Sequence, residues 1–135
     1  MKGATFIDTV YLLGLLNPRD RWHTKAVEMS RNIRGPFVTS NAILTEVADA
    51  LAHRTRRHWA CAALADLRDD PEINCIVVDE RVFTDGLHLY QQMADKDWSL
   101  TDCLSFVIMR REGITDALTA DVHFVQAGFR ALMND

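Results

Sequence analysis

Ala4-Thr5-Phe6-Ile7-Asp8-Thr9 is a short apolar, β-prone run that stops at an acid, and Val10, Leu12, Leu13, Leu15 and Leu16 follow it at helical spacing. The order is strand, acid, helix. The same order returns near the other end, where Ala117-Leu118-Thr119-Ala120 predicts a strand closed by Asp121, with one helical turn over His123 to Gln126. Phe37-Val38-Thr39 predicts another strand, with Ser40 and Asn41 as N-cap candidates for a helix carrying Ile43, Leu44, Val47, Ala48, Ala50 and Leu51. Alternating strands and helices define an α/β fold with a mostly parallel sheet, because crossover helices are the usual way to join parallel strands.

The remaining segments fit between these anchors. Asn17-Pro18 ends the first helix, and His23 to Ile33 reads as an amphipathic helix with Ala26, Val27, Met29 and Ile33 inward. His53 to His58 interrupts the apolar pattern before a helix over Trp59 to Leu67, which Asp69-Asp70-Pro71 closes. Ile73 to Val78 predicts a strand that ends at Asp79, and Phe83 to Met93 a helix. Phe129 to Leu132 is read as a last short strand. From Leu100 to Met109 nearly every position is apolar or small, so that helix belongs to the interior, with Gly113 as its C-terminal stop and Arg110 and Arg111 in its last turn.

The chain has 135 residues, 48% hydrophobic and 25% charged, which fits one domain over 1–135 with one core. No apolar run reaches the roughly 18 to 20 residues of a membrane span. The N-terminus also lacks the order of a cleavable leader, so the expected location is the cytoplasm. Cys61, Cys75 and Cys103 stand far apart with no C-x-x-C pair, so neither a disulfide framework nor a zinc site is indicated and each is most simply a small core residue. A formal charge of -4 argues against a surface that coats polyanions, so any nucleic acid must be bound by a local patch.

Four acids stand out. Asp8 and Asp121 follow apolar strands directly, and in open parallel sheets ligands bind outside those strand ends. Glu46 and Asp102 lie in the first turns of helices that start near the same edge. Ser99-x-x-Asp102 also has the form of a capping box, which accounts for that acid by helix initiation alone. Four converging carboxylates would repel and raise one another's pKa, so the cluster makes sense with a cation inside it. All-oxygen ligands select hard divalent ions, Mg²⁺ or Mn²⁺, and such a site suits hydrolysis of phosphodiesters.

Phe6-Ile7-Asp8-Thr9, Leu44-Thr45-Glu46-Val47, Ser99-Leu100-Thr101-Asp102-Cys103-Leu104-Ser105-Phe106 and Leu118-Thr119-Ala120-Asp121-Val122-His123-Phe124 resemble the successive motifs of a PIN-domain ribonuclease, closest to the VapC-type toxins. The resemblance runs over essentially the whole chain. It implies an α/β/α sandwich with a short, mostly parallel sheet, and Asp8, Glu46, Asp102 and Asp121 as catalytic residues around Mg²⁺ or Mn²⁺. Asp8 and Asp102 would be the central ligands, Glu46 would complete the site or orient a water, and Asp121 would bind a second ion or act through water. It further implies an RNA substrate, a protein antitoxin and a homodimer.

Thr9 and Thr101 flank the acids, as hydrogen-bonding neighbours of a carboxylate or phosphate or as ordinary helix-start residues. His123 sits beside the site in a packing or hydrogen-bonding role, since metal chemistry needs no separate general base. His23, His53, His58 and His88 have no mutual ligand spacing and are expected at the surface. Arg54, Arg56 and Arg57, beside Trp59, read either as a grip on RNA phosphates or as a solvated helix corner. Asp79 and Asp116 are read as turn acids outside the site. The competing functions are a housekeeping RNA-processing nuclease, a phosphoacceptor signalling domain using Asp79, and an inactive relative that only binds RNA or a partner. The signalling reading leaves Glu46 and Asp102 unexplained.

Overall fold

The computed structural model describes residues 3–135, so Met1 and Lys2, at the head of the segment read for a leader, lie outside it. Strand β1 (Thr5–Ile7) is followed by α1 (Thr9–Leu16) and α2 (His23–Asn32), then β2 (Phe37–Ser40), α3 (Asn41–Ala50) and α4 (Arg57–Asp69). The second half comprises β3 (Ile73–Ile76), α5 (Glu80–Gln92), α6 (Leu100–Glu112), β4 (Asp116–Leu118), α7 (Val122–Gln126) and β5 (Arg130–Ala131), closed by a 3₁₀ turn over Leu132–Asn134. The five strands form one sheet in the order β3-β2-β1-β4-β5, and every pairing is parallel.

This order makes the site's position follow from topology. From β1 the chain steps outward through β2 to β3, then crosses back to β4 and continues outward to β5. Right-handed crossovers therefore place α1–α4 over one face and α5–α7 over the other. The packing agrees, with α1 against α2 and α3, α3 against α4, and α5 and α7 against α6. The reversal falls between β1 and β4, which pair Phe6 with Ala117 and Ile7 with Leu118. A crevice outside the carboxyl ends of these two strands is where an open α/β sheet binds ligands.

The core beneath that crevice is aromatic. Phe6 of β1, Phe106 of α6 and Phe124 of α7 are fully buried. Phe106 meets Phe124 edge-on at 5.0 Å and Trp98 at 5.0 Å, a geometry that aromatic quadrupoles favour. Trp98 Nε1 donates to Gln126 Oε1 at 2.9 Å, so the indole both packs under α6 and ties down α7. As its sequence requires, α6 is interior, with Cys103, Leu104, Ser105, Phe106, Ile108 and Met109 buried, and Gly113 ends it in the left-handed conformation at φ 68°.

Some local expectations are corrected. Strand β3 stops at Ile76 because the Val78 N–H is taken by Asn41 Oδ1 at 2.8 Å rather than by a neighbouring strand. Helix α4 begins at Arg57, inside the basic run, so Arg57 and His58 are its first turn. Helix α5 starts three residues early, at Glu80, because the Asp79 carboxylate caps it by accepting the Val82 N–H at 2.9 Å. Of the cysteines only Cys103 is a buried core residue; Cys61 is exposed and Cys75 half-buried. His23 is not a plain surface histidine, since its Nδ1 lies 2.8 Å from the Gly14 carbonyl and bridges α2 to α1.

Candidate active site

Three of the four acids are delivered by helix starts whose local chemistry suits a carboxylate. Asp8 is the N-cap residue of α1, Asp121 that of α7, and Asp102 lies in the first turn of α6. Helix N-termini present free N–H groups and partial positive charge, which favour anions. Asp121 Oδ1 accepts the His123 N–H at 2.9 Å. Glu46 comes from the middle of α3, whose start is fixed by Ser40 accepting the Ile43 N–H.

Asp102 serves two purposes at once. Ser99 and Asp102 form the full capping box, with Asp102 Oδ2 accepting the Ser99 N–H at 3.1 Å and Ser99 Oγ accepting the Asp102 N–H at 3.0 Å. The same Oδ2 accepts from His123 Nδ1 at 2.9 Å, and Asp121 Oδ1 lies 3.3 Å from that nitrogen. The structural account of Asp102 is thus correct and does not exhaust it.

Among the described residues, Asp102, Asp121 and His123 offer ligand atoms that all lie within 4.8 Å of one another, a set that can hold a divalent ion. Asp8 stands beside this trio, joined to it through Thr119, whose hydroxyl donates to Asp8 Oδ2 at 2.7 Å and accepts the Asp121 N–H at 3.0 Å. Thr9 Oγ1 donates to Glu46 Oε1 and so links α1 to α3. Thr101 is the second residue of α6, beside Asp102, and its backbone carbonyl accepts from Ser105 Oγ at 3.0 Å. Arg54, Arg56 and Arg57 are exposed in the turn after α3 and at the start of α4, away from the acids. Asp79 is spent on capping α5, and Asp116 lies in β4, so neither joins the cluster.

Thr119 is the residue that pattern reading passes over. It is fully buried, yet its period marks it only as one more strand position. The available signal is a small hydroxyl residue two places before an acid at a buried strand end.

The electrostatics call for a cation. Asp8 is only 4% exposed, and burial raises its carboxyl to about 7, opposed by the Thr119 hydroxyl and the Thr9 N–H and reinforced by the charges of Asp102 and Glu46. Burial also raises Asp102, against the hydrogen bonds from His123 and Ser99. Among the described residues no lysine or arginine pairs with Asp8, Glu46, Asp102 or Asp121. A buried carboxylate without a cation is costly, and an oxygen-rich set with one imidazole fits a hard divalent ion. Fold and site together define a metal-binding nuclease of the PIN class.

Comparison with known proteins gives the family. The 23S rRNA-specific endonuclease VapC20 of Mycobacterium tuberculosis is 30% identical over 128 residues, covering 92% of this chain and 94% of the relative. The crystal structure of that protein, described as a toxin that cleaves the sarcin-ricin loop, matches with a TM-score of 0.87 at 27% identity, over 93% of this chain and 96% of the other. FitAcB from Neisseria gonorrhoeae shares the fold, with a TM-score of 0.69 at 16% identity over 94% and 95% of the two chains. No family model matches the chain. The chain belongs to the VapC-type PIN-domain endonuclease toxins.

Proposed function

We propose that this protein cuts a structured ribosomal RNA loop as the toxin of a toxin-antitoxin pair, using Mg²⁺ or Mn²⁺ held by Asp8, Glu46, Asp102 and Asp121. Residues 1–135 would make one nuclease domain. The observation that carries the reading is the buried carboxylate of Asp8, which no lysine or arginine among the described residues pairs with, beside the Asp102, Asp121 and His123 trio. The RNA target is argued from VapC20, whose name specifies 23S rRNA and whose structure is that of a sarcin-ricin-loop-cleaving toxin.

Asp8 and Asp102 would be the central ligands, with Asp121 completing the set and Glu46 orienting a water from the α3 side. A divalent ion held by these residues would supply a nucleophile near neutral pH and would neutralise charge on the phosphodiester. Thr119 holds the Asp8 carboxylate toward the crevice and Thr9 does the same for Glu46, the positioning that ligand neighbours commonly provide. His123 orients Asp102 through Nδ1. The apolar floor of Phe6, Phe106 and Phe124 keeps water from beneath the acids.

The antitoxin and the homodimer are what the family resemblance implies, and a cytoplasmic location is carried over from the sequence reading. No helix among the described residues is long and apolar enough to cross a membrane. Self-association has one physical support: Phe83, Leu87 and Tyr90 fall at i, i+4 and i+7 of α5 and remain exposed, an apolar stripe of the kind interfaces cover.

The test is to incubate purified, partner-free protein with ribosomes and with total RNA in Mg²⁺, Mn²⁺ or EDTA, and to map fragment ends by sequencing. Discrete metal-dependent cuts in 23S rRNA, absent with Asp8→Asn and Asp102→Asn, are expected. Cuts confined to precursor RNAs would instead make it a processing nuclease.

A further inference from the structure

The two helices that reach the acids, α1 with Thr9 and α3 with Glu46, pack side by side and end at a common cleft. Asn17, Pro18 and Arg19 after α1 form one wall, and Thr55, Arg56 and Trp59 at the start of α4 form the other, around a cavity of about 340 Å³. Trp59, in the first turn of α4, keeps 41% of its surface exposed. His58 stands edge-on to its ring at 5.7 Å.

Two arginines, Arg19 and Arg56, line this cleft, and Arg21, Arg54 and Arg57 follow or precede them within two residues in sequence, so a protein with net charge -4 still has a run of basic residues here. From Ala52 to Ala65 there is no acid. Asp20, between Arg19 and Arg21, accepts the Trp22 N–H at 2.8 Å and is the one acid of that turn. Among the described residues no carboxylate pairs with Arg19, Arg54, Arg56 or Arg57; the Arg57 guanidinium instead donates to the Ala52 carbonyl at 3.0 Å.

Unneutralised guanidinium groups beside an exposed indole are the means by which proteins bind single-stranded nucleic acid: phosphates meet the cations and a base stacks on the ring. The cleft lies at the far end of α1 from Asp8, toward the amino-terminal edge of the sheet, and the eight residues of α1 span about 12 Å. That is on the order of three or four nucleotides at the ~3.4 Å rise of a stacked strand. We propose that the cleft walled by Arg19, Arg56 and Trp59 is a docking subsite for an unpaired nucleotide of the RNA substrate. Arg19 and Arg56 hold its phosphates, and Trp59 stacks on its base. This rests on the nuclease reading of the acidic site and adds what that site lacks, a means of attracting a polyanion to a crevice lined with carboxylates.

The test compares Arg19→Glu, Arg56→Glu and Trp59→Leu with Arg31→Glu, an exposed charge on α2 that serves as control. Cleavage of a 23S rRNA fragment is followed over a range of salt. Binding is followed separately with Asp8→Asn protein in EDTA and a hairpin carrying 2-aminopurine in its loop. The expected result is a KM raised about tenfold or more by each arginine change, and a salt slope reduced by about one per arginine. Quenching of 2-aminopurine should be lost in Trp59→Leu, with Arg31→Glu behaving as wild type. Unchanged KM, slope and quenching would overturn the proposal. So would variants that bind RNA normally and lose inhibition by the antitoxin, which would make the cleft a protein-docking surface. A wild type that cuts no RNA would count against the nuclease reading, while the binding arm still decides the role of the cleft.

Discussion

The Thr119 hydroxyl donates to Asp8 Oδ2 across 2.7 Å and joins the end of β4 to the end of β1. Because its oxygen also accepts the Asp121 N–H at 3.0 Å, one buried side chain sets the spacing of two candidate ligands. Thr119→Val keeps the shape and removes both hydrogen bonds. Activity should fall about 10- to 100-fold, with a matching rise in the metal concentration required. Thr119→Ser should recover most of it. Metal titrations of cleavage for the three proteins check this; a valine variant with wild-type metal dependence would reduce Thr119 to a packing residue.

A second prediction concerns pH. Burial raises the Asp8 carboxyl from 3.8 to about 7 in the folded chain, so between these values the folded state holds a proton that the unfolded chain has released. Its contribution is therefore fully present below about pH 4 and is lost as pH rises through about 7, a total loss of about 4 kcal/mol. Asp102, also raised by burial, acts in the same direction. Urea unfolding in EDTA should show stability falling from pH 5 to pH 8, and Asp8→Asn should flatten that slope. Mn²⁺ should restore more stability at pH 8 than at pH 5, because it competes with the proton for the folded site. A flat wild-type profile in EDTA would contradict this.

What was legible in the sequence was whatever local chemistry alone decides. The strand-acid-helix order at Phe6-Ile7-Asp8-Thr9 could be read because a buried parallel strand is continuously apolar and must end where a charge appears. The capping box at Ser99 and Asp102 could be read because both partners lie within one turn. Contacts between distant segments were not legible. Asn41 takes the N–H of Val78 and cuts β3 short, and Thr119 meets Asp8 across 111 positions; no window of sequence contains both partners. The same limit applies to the basic run. Arg56 and Trp59 read as either a phosphate grip or a helix corner until Arg19, from the turn after α1, completes the cleft.

His123 provides a third prediction. It is the one non-acidic member of the ligand trio, and its hydrogen bond holds the Asp102 carboxyl down against the effect of burial. His123→Ala removes that support, so a proton should compete better with the metal at Asp102. The expected effect is about a tenfold higher Mn²⁺ requirement, larger at pH 6 than at pH 8, with the shape of the kcat profile at saturating metal retained. Loss of one limb of that profile with an unchanged metal requirement would assign His123 proton transfer instead.

The last prediction tests how α6 is seated. Gly86, buried in the middle of α5, faces Leu104 of α6 so closely that a Cβ at position 86 would lie 2.4 Å from Leu104 Cδ2 and 3.1 Å from its Cγ. Glycine in a helix interior costs about 1 kcal/mol relative to alanine, so its presence there is explained by this contact rather than by helix propensity. Gly86→Ala should destabilise by about 1 to 3 kcal/mol through overpacking, and Leu104→Ala by about 2 to 5 kcal/mol through the cavity it leaves. In the double variant the new methyl occupies part of that cavity, so the combined loss should be smaller than the sum. Because Asp102 lies two residues before Leu104 on the same helix, Gly86→Ala should also lower activity more than its stability alone predicts. Denaturant unfolding and metal-saturated cleavage measured on all four proteins separate the two effects. If Gly86→Ala is neutral in both, the spacing of α5 and α6 does not position Asp102.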